Sequence, residues 1–229
     1  MRRVVALTGA GISAESGLKT FRDSGGLWEG YDVNTVATPE AWHRDMKLVL
    51  DFYNMRRSQL KTAQPNQAHR LIADLQEYYH VDVVTQNVDD LHERAGSKNV
   101  LHLHGELKKV RSANNEDLVY DWTDDLNLGD LCEDGYQLRP HIVWFGEAVP
   151  LLPRAAELIA GCDVLIIVGT SLQVYPAASL VAYASRAEVY YIDPNPNINY
   201  ELSGMDFHAI EEPATIGMER LLNFLKTKA

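Results

Sequence analysis

The chain is short of cysteine and of basic charge, and it has no long apolar run. Among its 229 residues only Cys132 and Cys162 are cysteines. Two thiols exclude a disulfide framework and read as reduced side chains of a cytoplasmic protein. Lys and Arg number 21 against 32 Asp and Glu, a formal charge of −11. A free protein this acidic is a poor non-specific ligand of nucleic acid or of an anionic membrane, so neither is expected as a partner; a basic protein segment is the more natural one. No stretch reaches membrane-spanning length. The apolar run Val4–Leu7 is too short for an export signal and breaks at Gly9. What is present suffices for a folded core: 46% of the residues are hydrophobic, in a chain long enough for one large domain with a small insert.

Short apolar runs alternate with helical patterns. Val4–Leu7, Val81–Thr85, Val100–Leu103, Val164–Val168 and Val189–Ile192 read as buried strands. Helices are expected from Thr38-Pro39 to about Leu60, from Asn66, and over Asp89–Ala95, Leu152–Ala160, Pro176–Ser185 and Ile216–Lys226. Near-continuous apolar strands alternating with helices predict an α/β fold: a doubly wound, Rossmann-like parallel sheet. Phe21 to Val36, rich in Gly, Asp and Ser, reads as a long loop. Residues 106–139 are polar, acidic and turn-rich, and read as a small inserted module. The expected division is therefore a large part over 1–20, 64–105 and 140–229, with a small module over 21–63 and 106–139.

Two glycine turns follow strands. Thr8-Gly9-Ala10-Gly11-Ile12-Ser13 leads into a helix, with Ala14 where a dinucleotide fingerprint has its third glycine. Gly169-Thr170-Ser171 follows the second strand. Each alone is equally a tight strand–helix turn; together, at strand ends, they favour a nucleotide. Asp193-Pro194-Asn195 ends a further strand, where Asp193 suits a ribose diol or a simple turn. Gln86-Asn87-Val88-Asp89 and His102-Leu103-His104-Gly105 set an amide, a carboxylate and a histidine just past neighbouring strands. A lone histidine is more often structural; beside that amide and acid, His104 is the better candidate for a base, with His102 a neighbour in the pleat.

In combination and order, Gly9-Ala10-Gly11-Ile12-Ser13, Gly17, Phe21-Arg22, Gln86-Asn87-Val88-Asp89, His104-Gly105, Val143-Trp144-Phe145-Gly146-Glu147 and Gly169-Thr170-Ser171 resemble the sirtuins, NAD-dependent protein lysine deacylases. The resemblance runs from Gly9 to about Asn195. It implies NAD as a consumed co-substrate. The cofactor-binding set would be Gly9, Ala10, Gly11, Ser13, Glu15, Phe21, Arg22, Trp28, Gln86, Asn87, Asp89, Gly169, Thr170, Ser171, Asp193, Pro194 and Asn195. Asn87 and Asp89 would position the nicotinamide ribose and carboxamide, and His104 would deprotonate a ribose hydroxyl after the acyl oxygen has displaced nicotinamide. Val143, Trp144, Phe145 and Gly146 would pair with an acyl-lysine segment of a protein bound as an extended strand. Family members commonly have Asn where Asp193 stands.

Trp42, Met46, Val49, Tyr53, Arg56 and Leu60 recur at helical spacing, which puts Arg56 in an apolar stripe. From the residues alone, a salt bridge to a core carboxylate, or a stem on the core with its head in water, explains it. Sirtuins that remove succinyl and malonyl groups carry Tyr-x-x-Arg here, so the resemblance implies that Tyr53 and Arg56 take an acyl carboxylate, with Arg57 off the stripe. Many sirtuins also hold a structural zinc with two Cys-x-x-Cys pairs; here only Cys132 lies in that region, and Ser112 stands near the first cysteine's place. No structural zinc is expected, and Tyr120, Trp122, Leu131 and Tyr136 are expected to form an apolar cluster in its place. Other readings of a dinucleotide site are an NAD(H)-dependent oxidoreductase, a non-catalytic NAD sensor, or transfer of ADP-ribose to protein as a minor activity.

Overall fold

The structure, a computed structural model, describes residues 1–19 and 27–228. In chain order the elements are β1 (Arg3–Thr8), α1 (Gly11–Ala14), β2 (Leu27–Trp28), β3 (Tyr31–Asp32), α2 (Val33–Val36), α3 (Pro39–Arg44), α4 (Met46–Thr62), α5 (Gln67–Asp74), β4 (His80–Thr85), α6 (Leu91–Ala95), β5 (Val100–His102), β6 (Gly105–Ser112), β7 (Val119–Asp121), β8 (Leu138–Ile142), α7 (Leu152–Ala160), β9 (Val164–Val168), β10 (Glu188–Ile192), β11 (His208–Ile210) and α8 (Ala214–Lys226). A 3-10 segment, Ala177–Tyr183, stands where an α-helix was expected.

Six strands form one sheet in the order β11-β10-β9-β1-β4-β5, with every pairing parallel. β9 is buried along its whole length, as a strand covered on both faces must be. Fully burying each Val, Leu or Ile is worth roughly 1.5–3 kcal/mol. One face packs Leu71, Ile72, Met218, Leu221 and Leu222 of α5 and α8 over Val4, Val83 and Ile166. The other packs Ala155 and Ile159 of α7, with Leu180 and Val181, over Leu7, Leu165 and Ile167. From β1 the chain winds one way through β4 and β5 and the other way through β9, β10 and β11. β1 and β9 therefore flank the switch point, where ligands enter open α/β sheets.

A third core lies in the small module, under α3, α4 and an antiparallel sheet ordered β7-β6-β8. It holds Trp42, Val49, Phe52, Tyr53, Leu107, Val110, Leu126, Leu138 and Trp144. The expected cluster is half right. Tyr120 and Trp122 pack on this core, but Leu131 is 55% and Tyr136 48% exposed, because the turn between them closes as a hairpin facing water. Leu126, Cys132 and Leu138 take their places. Among the described residues no three His, Cys, Asp or Glu side chains are grouped to hold a metal, and none of the helices is long and apolar enough to cross a membrane.

Two further expectations change. The helix expected from Pro39 to Leu60 is broken at Asp45, whose carboxylate caps α4 by accepting from the Leu48 N–H. Trp42 therefore sits on a different helix from Tyr53 and Arg56. The expected loop up to Val36 contains a tight β2–β3 hairpin and the short helix α2. The hairpin turns on Glu29 and Gly30 at φ +54° and +87°, the positive values a type I′ turn requires at both central positions.

Candidate active site

The turns after β1 and β9 meet at the switch point. The Gly11 N–H donates to the Gly169 carbonyl at 2.7 Å, and the Gly9 N–H to that of Val168 at 3.1 Å. A Cβ on Gly9 would lie 2.7 Å from the Thr170 Cβ, and one on Gly11 2.7 Å from the Gly169 Cα. These glycines are thus required by the contact of one turn with the other, and their N–H groups are consumed there. Helix α1 has only four residues, so its dipole is small. The longer α8 brings its start, Pro213 and Ala214, to the same cleft.

That cleft has a volume of about 830 Å³. Of the residues singled out from the sequence it is lined by Gly9, Ala10, Gly11, Ser13, Glu15, Trp28, Tyr53, Arg56, Gln86, Asn87, Asp89, His104, Val143 to Gly146, Gly169 to Ser171, and Asp193 to Asn195. Phe21 and Arg22 lie outside the described residues.

Its floor is a hydrogen-bonded set of side chains. Asn87 Nδ2 donates to the Gly9 carbonyl at 3.1 Å and to Ser13 Oγ at 3.3 Å, and Ser13 Oγ donates to Asp89 Oδ2 at 3.0 Å. The Leu91 N–H also donates to Asp89, at 3.1 Å. Burial nevertheless raises the Asp89 carboxyl above the usual range. Gln86 Nε2 donates to Thr170 Oγ1, tying the third turn to the second.

His104 sits in the turn between β5 and β6, because β5 ends at His102. Gly105 follows at φ +82°, and a Cβ there would fall 2.0 Å from the His141 carbonyl oxygen, so only glycine lets β8 approach. His104 Nδ1 lies 3.1 Å from the Gln86 carbonyl oxygen. A carbonyl only accepts, so Nδ1 carries the proton and Nε2 is the basic nitrogen. Burial holds the His104 pKa below its ordinary value, against the contrary pull of that carbonyl. His102 stands behind the site. Its Nδ1 faces the Asn87 carbonyl at 3.0 Å and its Nε2 the Glu93 carboxylate at 2.7 Å. Burial alone would lower its pKa; the Glu93 carboxylate, with the Asn87 carbonyl and Glu106, outweighs that and raises it.

On the module side, Trp144 Nε1 donates to the Tyr53 hydroxyl at 3.0 Å. Trp28 packs edge-on against Phe52 and Tyr53, with the Arg56 guanidinium 5.0 Å from its ring centre. Arg56 has a partner: Nη1 lies 3.1 Å from Glu29 Oε1, and both side chains are 7% exposed. Burial still lowers its pKa, with Glu29 acting against that. Arg57, expected off the stripe, is buried too; it donates to the Leu107 carbonyl and to Asn54 Oδ1 and so ties α4 to β6.

Several residues were not anticipated. Glu147 organises the 143–147 wall, accepting two bonds from Arg139, at 2.7 and 3.1 Å, and one from the Trp144 N–H at 2.8 Å. Arg139 in turn lies 3.3 Å from the Trp144 ring centre. Gln173, Val174, Tyr175 and Pro176 line the same cleft, as do Lys19, Leu18 and Ala37. Only Glu147 carried a signal, as an acid beside Trp-Phe-Gly with an arginine eight residues earlier. Glu15 lines the cleft, but its carboxylate accepts from Thr215 N and Oγ1 at the start of α8. Asp193 Oδ1 accepts from the Asn195 N–H, which is the turn role.

A parallel α/β sheet with two glycine turns meeting at its switch point, and a neutral histidine beside a buried amide and acid, defines a nucleotide-using enzyme of the Rossmann-like class. Residues 9–176 match the model of the Sir2 family, and the chain belongs to that family. It is 56% identical over 223 residues to an NAD-dependent protein deacylase of Helicobacter pylori (strain J99 / ATCC 700824), covering 97% of this chain and 94% of the relative. It is 49% identical over 232 residues to one of Bacteroides thetaiotaomicron, covering 98% of each. Among solved structures, a Sir2 homologue in complex with ADP-ribose superimposes with a TM-score of 0.89 at 38% identity, over 99% of this chain and 92% of that one. A Sir2 homologue–NAD complex gives 0.87 at 38% identity, over 99% and 90%.

Proposed function

We propose that this enzyme, an NAD-dependent protein deacylase, removes acetyl groups and the acidic succinyl and malonyl groups from protein lysines, with His104 as its base. The observation that carries the reading is His104: a histidine with its Nδ1 proton fixed by a carbonyl, kept neutral by burial, on the cleft that also holds Asn87 and Asp89. The residues fit a dinucleotide. The turns at Gly9–Gly11 and Gly169–Ser171 present no bulky side chain, and Ser13, Gln86, Asn87 and Asp89 supply hydrogen-bonding groups suited to a ribose and a carboxamide. NAD, when bound, supplies an anomeric carbon from which neutral nicotinamide departs. The chain's own residues then orient and move protons. Asn87 and Asp89 are fixed through Ser13, so they meet the sugar without reorganising. His104 Nε2 accepts a hydroxyl proton, and the apolar walls restrict water.

The acyl-lysine segment is assigned to the Val143–Gly146 wall as an extended strand. The N–H groups of Val143, Trp144 and Phe145 already donate to His104 O, Glu147 Oε2 and Ala37 O. Pairing there therefore rests on wall carbonyls and the Gly146 N–H. At the far end, the guanidinium of Arg56 and the hydroxyl of Tyr53 suit a carboxylate.

Mass spectrometry of acetyl-, succinyl- and malonyl-lysine peptides incubated with NAD tests this. Free lysine peptide and nicotinamide are expected in equal amounts, and His104→Ala should lower the rate about 10²–10⁴-fold while remaining folded. Reduced cofactor instead of nicotinamide would make the protein an oxidoreductase, and intact peptides a sensor.

A further inference from the structure

We infer that Glu29 is a built-in competitor for the acyl carboxylate: it neutralises Arg56 when the acyl group is neutral and must yield that arginine when the acyl group is acidic. The inference rests on the reading of Arg56 as the carboxylate-binding residue.

Arg56 stands between two cavities. Its side chain lines the 830 Å³ cleft, whereas Glu29 lines a separate one of about 280 Å³ with Ser16, Gly17, Lys19, Gln59 and Thr62. Glu29 does not itself line the cleft, while Lys19 lines both cavities. Its second oxygen, Oε2, lies 3.3 Å from Gln59 Nε2 and 3.8 Å from Lys19 Nζ, and Lys19 is 69% exposed. A buried guanidinium without a counter-charge is unfavourable. An acetyl group brings no charge, so the Arg56–Glu29 pair must persist while it is bound. A succinyl group brings a carboxylate. With Glu29 still in place two carboxylates would share the buried Arg56, with only the exposed Lys19 beside them, and the two would repel. The Glu29 carboxylate already borders the smaller cavity and the exposed Lys19, which can offset its charge when it gives up Arg56.

The pairing is also weaker than it need be. Glu29 makes a single 3.1 Å contact with Nη1, and Arg56 Nε is buried with no partner among the described residues. Glutamate is a poor choice for the left-handed first position of a two-residue hairpin, where Asn or Gly serves better. Turn geometry therefore does not account for it, and the carboxylate at this position does.

The test is steady-state kinetics of the full chain with matched acetyl- and succinyl-lysine peptides. Glu29→Gln keeps the shape and removes the charge; Glu29→Asn removes the charge with a shorter side chain that suits the turn, so at least one variant should fold. Each is expected to lower KM for the succinyl peptide about five- to tenfold, raising the succinyl-to-acetyl ratio of kcat/KM. An unchanged or higher succinyl KM in the folded variants would overturn the inference and make Glu29 a fixed support of Arg56. Arg56→Met, measured in parallel, isolates the underlying reading: equal losses on both peptides would remove Arg56 from the acyl site, whatever Glu29 does.

Discussion

The part of the cleft built on the sheet edge and the part built on the small module hold their polar groups in different ways. On the sheet side the hydrogen-bonded groups are neutral apart from the Asp89 carboxyl. Thr8 bonds Thr85 and faces His92 at 3.0 Å, Ser13 bonds Asp89 and Asn87, and His69 lies beneath. Burial holds His69 down to about 4 and His92 well below its ordinary value, and it raises the Asp89 carboxyl. His102 with Glu93 is the other exception, and it lies behind Asn87. On the module side the groups are ions. Arg56, Arg57, Arg111 and Arg139 are all buried, with Glu29 and Glu147 between them. The contrast matches two tasks. A base and a set of ribose contacts work best without a nearby net charge that would shift the base. A wall that must stay rigid needs fixed charge, and so does the proposed pocket for an acidic acyl group.

The module side itself contains two versions of one arrangement, an arginine against a tryptophan and paired with a glutamate. Arg139 is held by both Glu147 oxygens and also donates to the Ile142 carbonyl; Arg56 has one contact with Glu29. The first is a brace, the second an exchangeable pair. Arg139→Met should therefore be the more damaging to stability, because it leaves the half-buried Glu147 with only a 3.5 Å contact to Arg111 as its counter-charge. A loss of roughly 3–5 kcal/mol in denaturant unfolding is expected, with activity falling alike on every acyl peptide. Arg56→Met should spare the fold more and strike one substrate class. Loss of a charge-assisted hydrogen bond of roughly 1.5–3 kcal/mol lowers succinyl kcat/KM by about 10–150-fold relative to acetyl. If Arg56→Met proves as destabilising as Arg139→Met, the distinction between brace and exchangeable pair fails.

What the residues reveal by themselves follows the same division. The sheet was legible because its strands are apolar runs with local turn signals: Val164–Val168 and Leu152–Ala160 match their elements, and Asn66, where a helix was expected to start, is its N-cap. β11 was missed because three residues, two of them exposed, leave no pattern. In the module, β6 and β8 pair residues some thirty positions apart, and Lys108 and Lys109 make β6 look like loop. Asp45 was hidden because its capping acts on a helix that continues the same periodicity. The residues that line the cleft from glycine turns and from Gln86–Asp89 were readable as motifs. The partner of Arg56 was not: a core carboxylate was one reading of that stripe, but nothing in the spacing marks Glu29, twenty-seven positions away on a hairpin.

The sheet side of the comparison makes its own prediction through pH. His69 is depressed in the folded protein, chiefly by burial and then by Arg70, so the unfolded chain binds its proton first. Its neutral form favours folding fully above about pH 6.5, and that contribution is lost as pH falls from there toward about 4. The slope from one such proton is at most about 1.4 kcal/mol per pH unit. A His69→Gln variant, denatured with urea at several pH values, should show a shallower decline over that window. An unchanged slope would mean that His69 is charged in the fold and the sheet side is not the neutral floor described.

The smallest effects should fall where the module meets water, and they test which apolar contacts hold the module together. Leu138 is 4% exposed in the module core, whereas Leu131 is 55% exposed on the neighbouring turn. Leu138→Ala should cost about 2–5 kcal/mol, and Leu131→Ala or Tyr136→Ala within about 0.5 kcal/mol. The cost of Leu138→Ala should also be indifferent to added zinc or chelator, since Ser112 Oγ accepts from the Asn114 and Asn115 N–H groups and Cys132 is packed with Leu126 and Leu138. A melting temperature that drops on chelation would show that the apolar core does not by itself hold β6, β7 and β8 together; a drop confined to Leu131→Ala would place the stabilising contact on the turn instead.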